Sequence, residues 1–366
     1  MPLRRHGRLA LLGVGAVTAL AASTLTPSGV DAATVRAEPR FDKHTVIVSG
    51  LDNPRQLSFT PSGHLLIAQA GHGGQACSHG QCVGKTGKVS VIRNGTAHNM
   101  MMGLLSGAGR DGTFATGVDG AGKRAGGPYF GIVTYAPPDL IPQGLPGRQA
   151  GKLMAKLPGG KLRQVANVAG YELRNDIDNE GPDSNPYALL ALKNQVLVAD
   201  AAGDYIARVA HGRVSTWAVL PEYGKKVDAV PTSLSLGPDG YIYVGELHSE
   251  QPGKAKVWKY DRQGNPVRSW GGFTTVTGVA RGKDGSLYVS ELFGGPCTFD
   301  QIPACFPGRV VKVSPNGDRS FRRVPFPAGI AVRNSHVNVA VFSVSPATGF
   351  GGNPAWSGAI WRAFGR

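Results

Sequence analysis

One four-strand pattern recurs along this chain, and no other feature restricts its fold as strongly. In the clearest copy an apolar strand, Pro231-Thr232-Ser233-Leu234-Ser235-Leu236, runs into a Pro238-Asp239-Gly240 turn. A second strand, Tyr241-Ile242-Tyr243-Val244-Gly245-Glu246, ends on a carboxylate, and Lys256-Val257-Trp258-Lys259-Tyr260 follows with its turn at Gln263-Gly264. The next copy repeats the order: Val276-Thr277-Gly278-Val279-Ala280, Lys283-Asp284-Gly285, Leu287-Tyr288-Val289-Ser290-Glu291, then Arg309-Val310-Val311-Lys312-Val313 and Asn316-Gly317. Upstream, Pro54 to Phe59 and Leu65 to Gln69 open a first unit that Gly87 to Arg93 and Asn94-Gly95 close. Pro186 to Leu192 with Val196 to Asp200 opens a third, and Pro327 to Val332 with Val337 to Val341 the last. Such runs of β-branched and aromatic residues between turn formers read as strands, and the many glycines serve turns that need positive φ.

A unit of this kind cannot bury its faces alone, so copies must stack. Six units of about 45–65 residues, the size of a four-stranded propeller blade, fill the chain from residue 45 to 366. A β-sandwich also has short strands and regular turns, but it does not repeat a four-strand unit six times. The expected fold is therefore all-β: one six-bladed β-propeller with four antiparallel strands per blade. Between Gly103 and Gly170 the pattern is degraded and glycine-rich, and the second unit is placed at Phe130 to Tyr135 and Lys152 to Val168. Thr45 to Ser49 precedes the first full unit and is the candidate strand that closes the ring and removes its exposed edges. A chain of 366 residues, 41% hydrophobic and 17% charged, can bury a core of that size.

Residues 1–32 read as a targeting segment. Arg4, Arg5 and Arg8 form a positive start, Leu9 to about Ala22 an apolar run, and Val30-Asp31-Ala32 a small-residue cleavage site. The run is shorter than the roughly 20 residues a membrane helix needs, so cleavage and secretion, outside the cell or at its envelope, are expected, with no transmembrane segment in the mature chain. Residues 33–44 form a linker. Export favours pairing among Cys77, Cys82, Cys297 and Cys305. Each short-range pair, Cys77 with Cys82 and Cys297 with Cys305, falls between the second and third strands of its blade, so these two pairings are expected. The C-x4-C and C-x7-C spacings do not suit zinc.

The first strand of a blade is innermost, and the end of the second lies beside the start of the first. Residues at those two places should therefore share one mouth of the central channel: Asn53 with Gln69, Asn185 with Asp200, Thr232 with Glu246, Thr277 with Glu291, and Asp183 just upstream. Asp200, Glu246 and Glu291 would supply hard oxygen ligands for Ca²⁺; the alternative is that these groups cap strand ends and hold channel water. His248, just past Glu246, is either a mouth-side base or a solvated loop residue. The acidic stretch Asp176, Asp178, Glu180 and Asp183 resembles a calcium loop only loosely, because it lacks the D-x-[DN]-x-[DN]-G order with a distant Glu; a solvated connector is the reading preferred over a calcium loop. Gly107 to Gly112 matches G-x-G-x-x-G, but no strand precedes it and no helix follows; Gly84-Lys85-Thr86 resembles a phosphate loop, but the upstream glycine it needs falls on His79, so both read as propeller loops. No G-x-S-x-G elbow or H-E-x-x-H helix is present.

Val48-Ser49-Gly50-Leu51-Asp52-Asn53-Pro54-Arg55, Tyr171-Glu172, Asp183-Ser184-Asn185-Pro186-Tyr187, Pro231-Thr232-Ser233, Tyr243-Val244-Gly245-Glu246-Leu247 and Phe326-Pro327-Ala328-Gly329 resemble the ScyD/ScyE family of secreted proteins, over about residues 45–364. The resemblance implies a six-bladed propeller related in fold to gluconolactonase-like and NHL-repeat propellers, and implies no established activity. The chain departs from the family pattern at Gly117-Val118-Asp119-Gly120 and at Ala340-Val341-Phe342. The net charge of +15, about +13 without Arg4, Arg5, Arg8 and Asp31, would attract an acidic cell-surface polymer. Export and the lack of a binding module speak against nucleic acid. Two functions remain. One is a monomeric, non-catalytic propeller binding a small molecule, glycan or protein at its mouth; the other is a Ca²⁺-assisted hydrolase or lactonase with His248 or a carboxylate as base.

Overall fold

The computed structural model describes residues 41–157, 159–221, 223 and 227–365. The expected targeting segment and the first eight residues of the linker lie outside them. Six separate sheets form a six-bladed β-propeller with four antiparallel strands in each blade. Blades 3, 4 and 5 are the plain four-strand units: blade 3 runs Pro186–Ala191, Val196–Asp200, Tyr205–Ala210, Arg213–Val219. Blade 4 runs Pro231–Leu236, Ile242–Glu246, Ala255–Tyr260, Pro266–Phe273, and blade 5 runs Val276–Arg281, Leu287–Glu291, Arg309–Val313, Arg319–Arg323. The first strands of successive blades touch one another around the axis.

The core is divided among the gaps between blades. Leu66, Val89 and Val91 of blade 1 pack on Val118, Val133 and Met154 of blade 2, and the other gaps are filled the same way. Each strand thus buries both faces near the axis, while an outer strand such as Arg319–Arg323 lies wholly exposed. That gradient explains why the inner strands read as near-continuous apolar runs and the outer ones do not.

The ring closes with a strand from the N-terminal end. Thr45–Leu51 forms the outermost strand of blade 6, antiparallel to Gly358–Phe364, outside His336–Val341 and Ile330–Arg333. Phe41, within the expected linker, already packs on Phe306, Phe342 and Trp361.

Two stretches differ from the sequence reading. In blade 1 the third and fourth strands, Gln81–Arg93 and Thr96–Gly109, form a long hairpin that rises past the blade, with Ala76–Ser78 added alongside. Gly84-Lys85-Thr86 and Gly107 to Gly109 therefore lie in strands rather than loops, and no helix follows either. In blade 2 the inner strand is Val118–Lys123, a Val-Asp-Gly-Ala-Gly-Lys segment without strand signals. Its glycines are needed by packing: a Cβ on Gly120 would stand 2.8 Å from the Leu189 nitrogen, and one on Gly122 would stand 2.6 Å from Leu189 Cδ1. Among the described residues no helix is long and apolar enough to cross a membrane.

Candidate functional site

The strand ends meet in the expected register. Pro54 faces Gln69, Pro186 faces Asp200, Pro231 faces Glu246 and Val276 faces Glu291. The expected set then divides, and neither Asn53 nor Asp183 lines the axis. Asn185, Thr232 and Thr277 line a small axial cavity, whereas Gln69, Asp200, Glu246 and Glu291 do not. All four are buried and engaged within their own blades or the loops beside them. Gln69 accepts from the Asp52 N–H and donates to Ser90. Asp200 accepts from the Ser184 hydroxyl and the Asn185 N–H at 2.5 and 2.6 Å. Glu246 accepts from the Tyr223 hydroxyl and Trp258 Nε1 at 3.0 and 2.8 Å, and Glu291 accepts from the Thr274 N–H and pairs with Arg309.

Burial pushes Asp200 up to about 6 and Glu246 up to about 7, and raises Glu291 although Arg309 opposes the shift. Asp200, Glu246 and Glu291 are not among the side chains whose ligand atoms cluster closely enough to share an ion; among the described residues that grouping is Glu172, Asp176 and Asp178. His248 is buried rather than solvated, with Nδ1 3.3 Å from Glu246 Oε1 and its ring against Tyr223. Burial, helped by Lys256, lowers its pKa and favours the neutral ring.

What closes the axis comes from blade 1. Arg55, 6% exposed, places Nε 3.2 Å from the carboxylate of Asp119 of blade 2, itself 1% exposed, and also donates to the carbonyls of Ala115 and Ser343. One level along, Gln56 accepts from the Ala121 and Leu189 N–H groups and donates to the carbonyls of Leu189 and Leu234, joining blades 1, 2, 3 and 4. The cavity that remains measures about 30 Å³, room for roughly one water. Thr232 and Thr277 are clasps between blades, donating to the carbonyls of Val276 and Pro327. Asn53, held at φ 46°, donates to Gly71 and Gly112 and accepts from Ala115, so it braces the loops. Asn185 accepts from Thr134. Arg55 and Asp119 escaped notice as a pair because they stand 64 positions apart in the sequence.

A second, larger cleft lies on the opposite face. It has a volume of about 700 Å³ and opens between blades 2 and 3, among hairpin turns that carry Arg124, Leu157, Lys193 and His211. Arg163 joins the rim, and Phe130, Val165, Val196 and Val209 make an apolar floor. Among the described residues no carboxylate lines it. Arg124 Nε is buried without a hydrogen-bond partner among the described residues, and its guanidinium lies 5.2 Å from the Phe130 ring centre.

Both short-range disulfides are present, Cys77–Cys82 across a hairpin and Cys297–Cys305 in the loop between the second and third strands of blade 5. Neither constrains a long segment. Cys77→Ser with Cys82→Ser should therefore leave a folded propeller and lower its stability by less than about 3 kcal/mol in urea unfolding, because so short a closure removes little chain entropy. A loss of the cooperative transition would count against that account.

Fold and site together define a six-bladed β-propeller with a plugged axis and a basic cleft at its side. Among solved structures, a catalytically inactive variant of virginiamycin B lyase from Staphylococcus aureus with quinupristin is similar at 11% identity, TM-score 0.50, covering 83% of this chain and 97% of its own. A Thermus thermophilus protein designated an oxidoreductase of the glucose dehydrogenase type is 14% identical, TM-score 0.49, covering 87% and 99%. One designated a gluconolactonase is 11% identical, TM-score 0.49, covering 90% and 94%. At such identities the likeness concerns the fold. No known family profile and no curated relative matches the chain.

Proposed function

We propose that the protein is a secreted, non-catalytic propeller of the ScyD/ScyE kind that binds an acidic glycan of the cell surface in the cleft between blades 2 and 3. The composition of that cleft carries the reading: Arg124, Arg163, Lys193 and His211 surround an apolar floor, with no carboxylate among the described lining residues. Its volume of about 700 Å³ falls in the range of ligand sites, about 300–1,000 Å³. Guanidinium groups suit carboxylates and sulfates because their paired donors match two oxygens. A buried donor without a partner, such as Arg124 Nε, costs about 1–3 kcal/mol, which an anionic ligand would offset. The net charge, +15 for the full chain and about +13 without Arg4, Arg5, Arg8 and Asp31, adds long-range attraction for such a ligand. The hydrolase reading needs an ion shared by Asp200, Glu246 and Glu291, and each of these carboxylates is engaged separately.

Polygalacturonate is a suitable probe, with neutral dextran as its control. In calorimetry at about 0.15 M salt, where surface attraction is screened beyond about 8 Å, the wild type should bind polygalacturonate and not dextran. Arg163→Glu with Lys193→Glu should weaken binding by about tenfold or more through like-charge repulsion. Arg322→Glu with Arg323→Glu, the same charge change on the exposed outer strand of blade 5, should leave it nearly intact. Equal losses in the two variants would reduce the effect to net charge and overturn the assignment, as would equal binding of dextran.

A further inference from the structure

The connector from blade 2 to blade 3 is less solvated than its sequence suggests. A short helix, Ala169–Asn175, ends in a left-handed turn at Asp176, φ 46°, and the chain then crosses to Pro186. Glu172 of that helix is 0% exposed. Its Oε1 accepts from the Ile177 N–H at 3.0 Å, and its Oε2 is buried with no hydrogen-bond partner among the described residues. Carboxylate oxygens of Glu172, Asp176 and Asp178 lie within 4.8 Å of one another. None of the three forms an ion pair among the described residues. Three acidic groups so placed, one of them with a buried oxygen left unmatched, repel one another unless a proton or cation joins them.

The local chain is shaped around this group. Asp176 Oδ1 accepts from the Gly181 N–H and Asp178 Oδ1 from the Glu180 N–H, each at 3.0 Å. Gly203, in the turn after Asp200, leaves room for the buried acid: a Cβ there would stand 2.7 Å from Glu172 Cδ. Asp176-x-Asp178-x-Glu180-Gly181 follows the first half of a calcium loop, with acids at positions one, three and five and glycine at six. The loop's twelfth position, where a bidentate Glu belongs, is Tyr187. Here the additional acid arrives from the other side, out of the helix that precedes the loop.

We infer that Glu172, Asp176 and Asp178 form a Ca²⁺ site at the junction of blades 2 and 3. An all-oxygen, carboxylate-rich set matches a hard cation of flexible coordination rather than a thiophilic or imidazole-seeking metal. Such an ion would tie the end of blade 2 to the first strand of blade 3 at a place with no other charge compensation among the described residues.

The test uses the secreted mature chain, freed of metal with EDTA and titrated with Ca²⁺ alone by calorimetry. The wild type should bind one ion per chain saturably and unfold at a higher temperature in Ca²⁺ than in EDTA. Asp176→Asn with Asp178→Asn should lower the affinity by about tenfold or more, with an unchanged circular dichroism spectrum in EDTA. Glu172→Gln, which keeps the shape of the buried side chain, should do the same and decides the matter if the double variant fails to fold. No saturable binding by the wild type, or undiminished binding in the folded variants, would overturn the inference.

Discussion

Arg55→Ala is expected to lower the stability of the propeller by about 3–5 kcal/mol at pH 8, more than any other single side-chain deletion near the axis, because it strands a buried charge. Asp119 is 1% exposed, and Arg55 is its one ion-pair partner among the described residues. Even with Arg55 present, burial pushes the Asp119 carboxyl up to about 6. A folded value above the unfolded one of 3.8 means that ionisation costs native stability as pH rises from about 4 to 6, and the cost is complete above that window. Removing the guanidinium lifts the folded value further, so the deficit of the variant should grow between pH 6 and 8. At pH 5 the acid is protonated with or without Arg55, and what remains is the loss of the bonds to Ala115 and Ser343. Urea unfolding at the two pH values reads this directly. Arg55→Ala with Asp119→Asn should recover part of the loss at pH 8 and little at pH 5. A deficit independent of pH would show that the carboxylate is not the stranded group.

The same pair shows where sequence reading reaches its limit. Blades 4 and 5 were legible because each repeats a strand, a Pro-Asp-Gly or Lys-Asp-Gly turn and a strand within two dozen residues. Local order also placed Cys77 against Cys82 and Cys297 against Cys305. The register of first and second strands followed too, which put Asn185, Thr232 and Thr277 on the axis. The direction of a side chain at a strand end did not follow, since it depends on what the third strand and the next loop offer. Glu291 meets Arg309 there, and Glu246 meets Trp258.

Contacts between blades were illegible for a different reason. Arg55 reaches Ser343 across 288 positions, and the basic cleft draws its lining from turns scattered between residues 124 and 212. No periodicity in the chain encodes such a meeting; it exists only once the ring has closed. The inner strand of blade 2 was hidden by its own packing, because the close approach of Leu189 demands glycine where a strand signal would need a branched side chain.

Closure itself supports the second large expectation. A chain that begins at Asp52 lacks the strand Thr45–Leu51 and should lose cooperative folding as a monomer. That strand contributes Val48 and Leu51, 8% and 1% exposed, to the seam between blades 6 and 1, where Leu57, Ile67 and Ile360 meet them. Deleting one such buried side chain to alanine costs about 2–5 kcal/mol, and native domains hold only about 5–15 kcal/mol in total. The truncation also strips Phe41 and His44 from Trp361. It leaves Gly358–Phe364 as an open edge, with unpaired backbone groups that a second chain could capture. Size-exclusion chromatography should therefore find the truncated chain aggregated or strand-swapped. Leu51→Ala, which keeps the backbone pairing, should remain a monomer with an unfolding transition at lower denaturant. A truncated chain that elutes as a monomer and unfolds within about 2 kcal/mol of the wild type would mean that the seam between blades 6 and 1 holds without its closing strand, and that the ring is secured by the axial residues Arg55 and Gln56 instead.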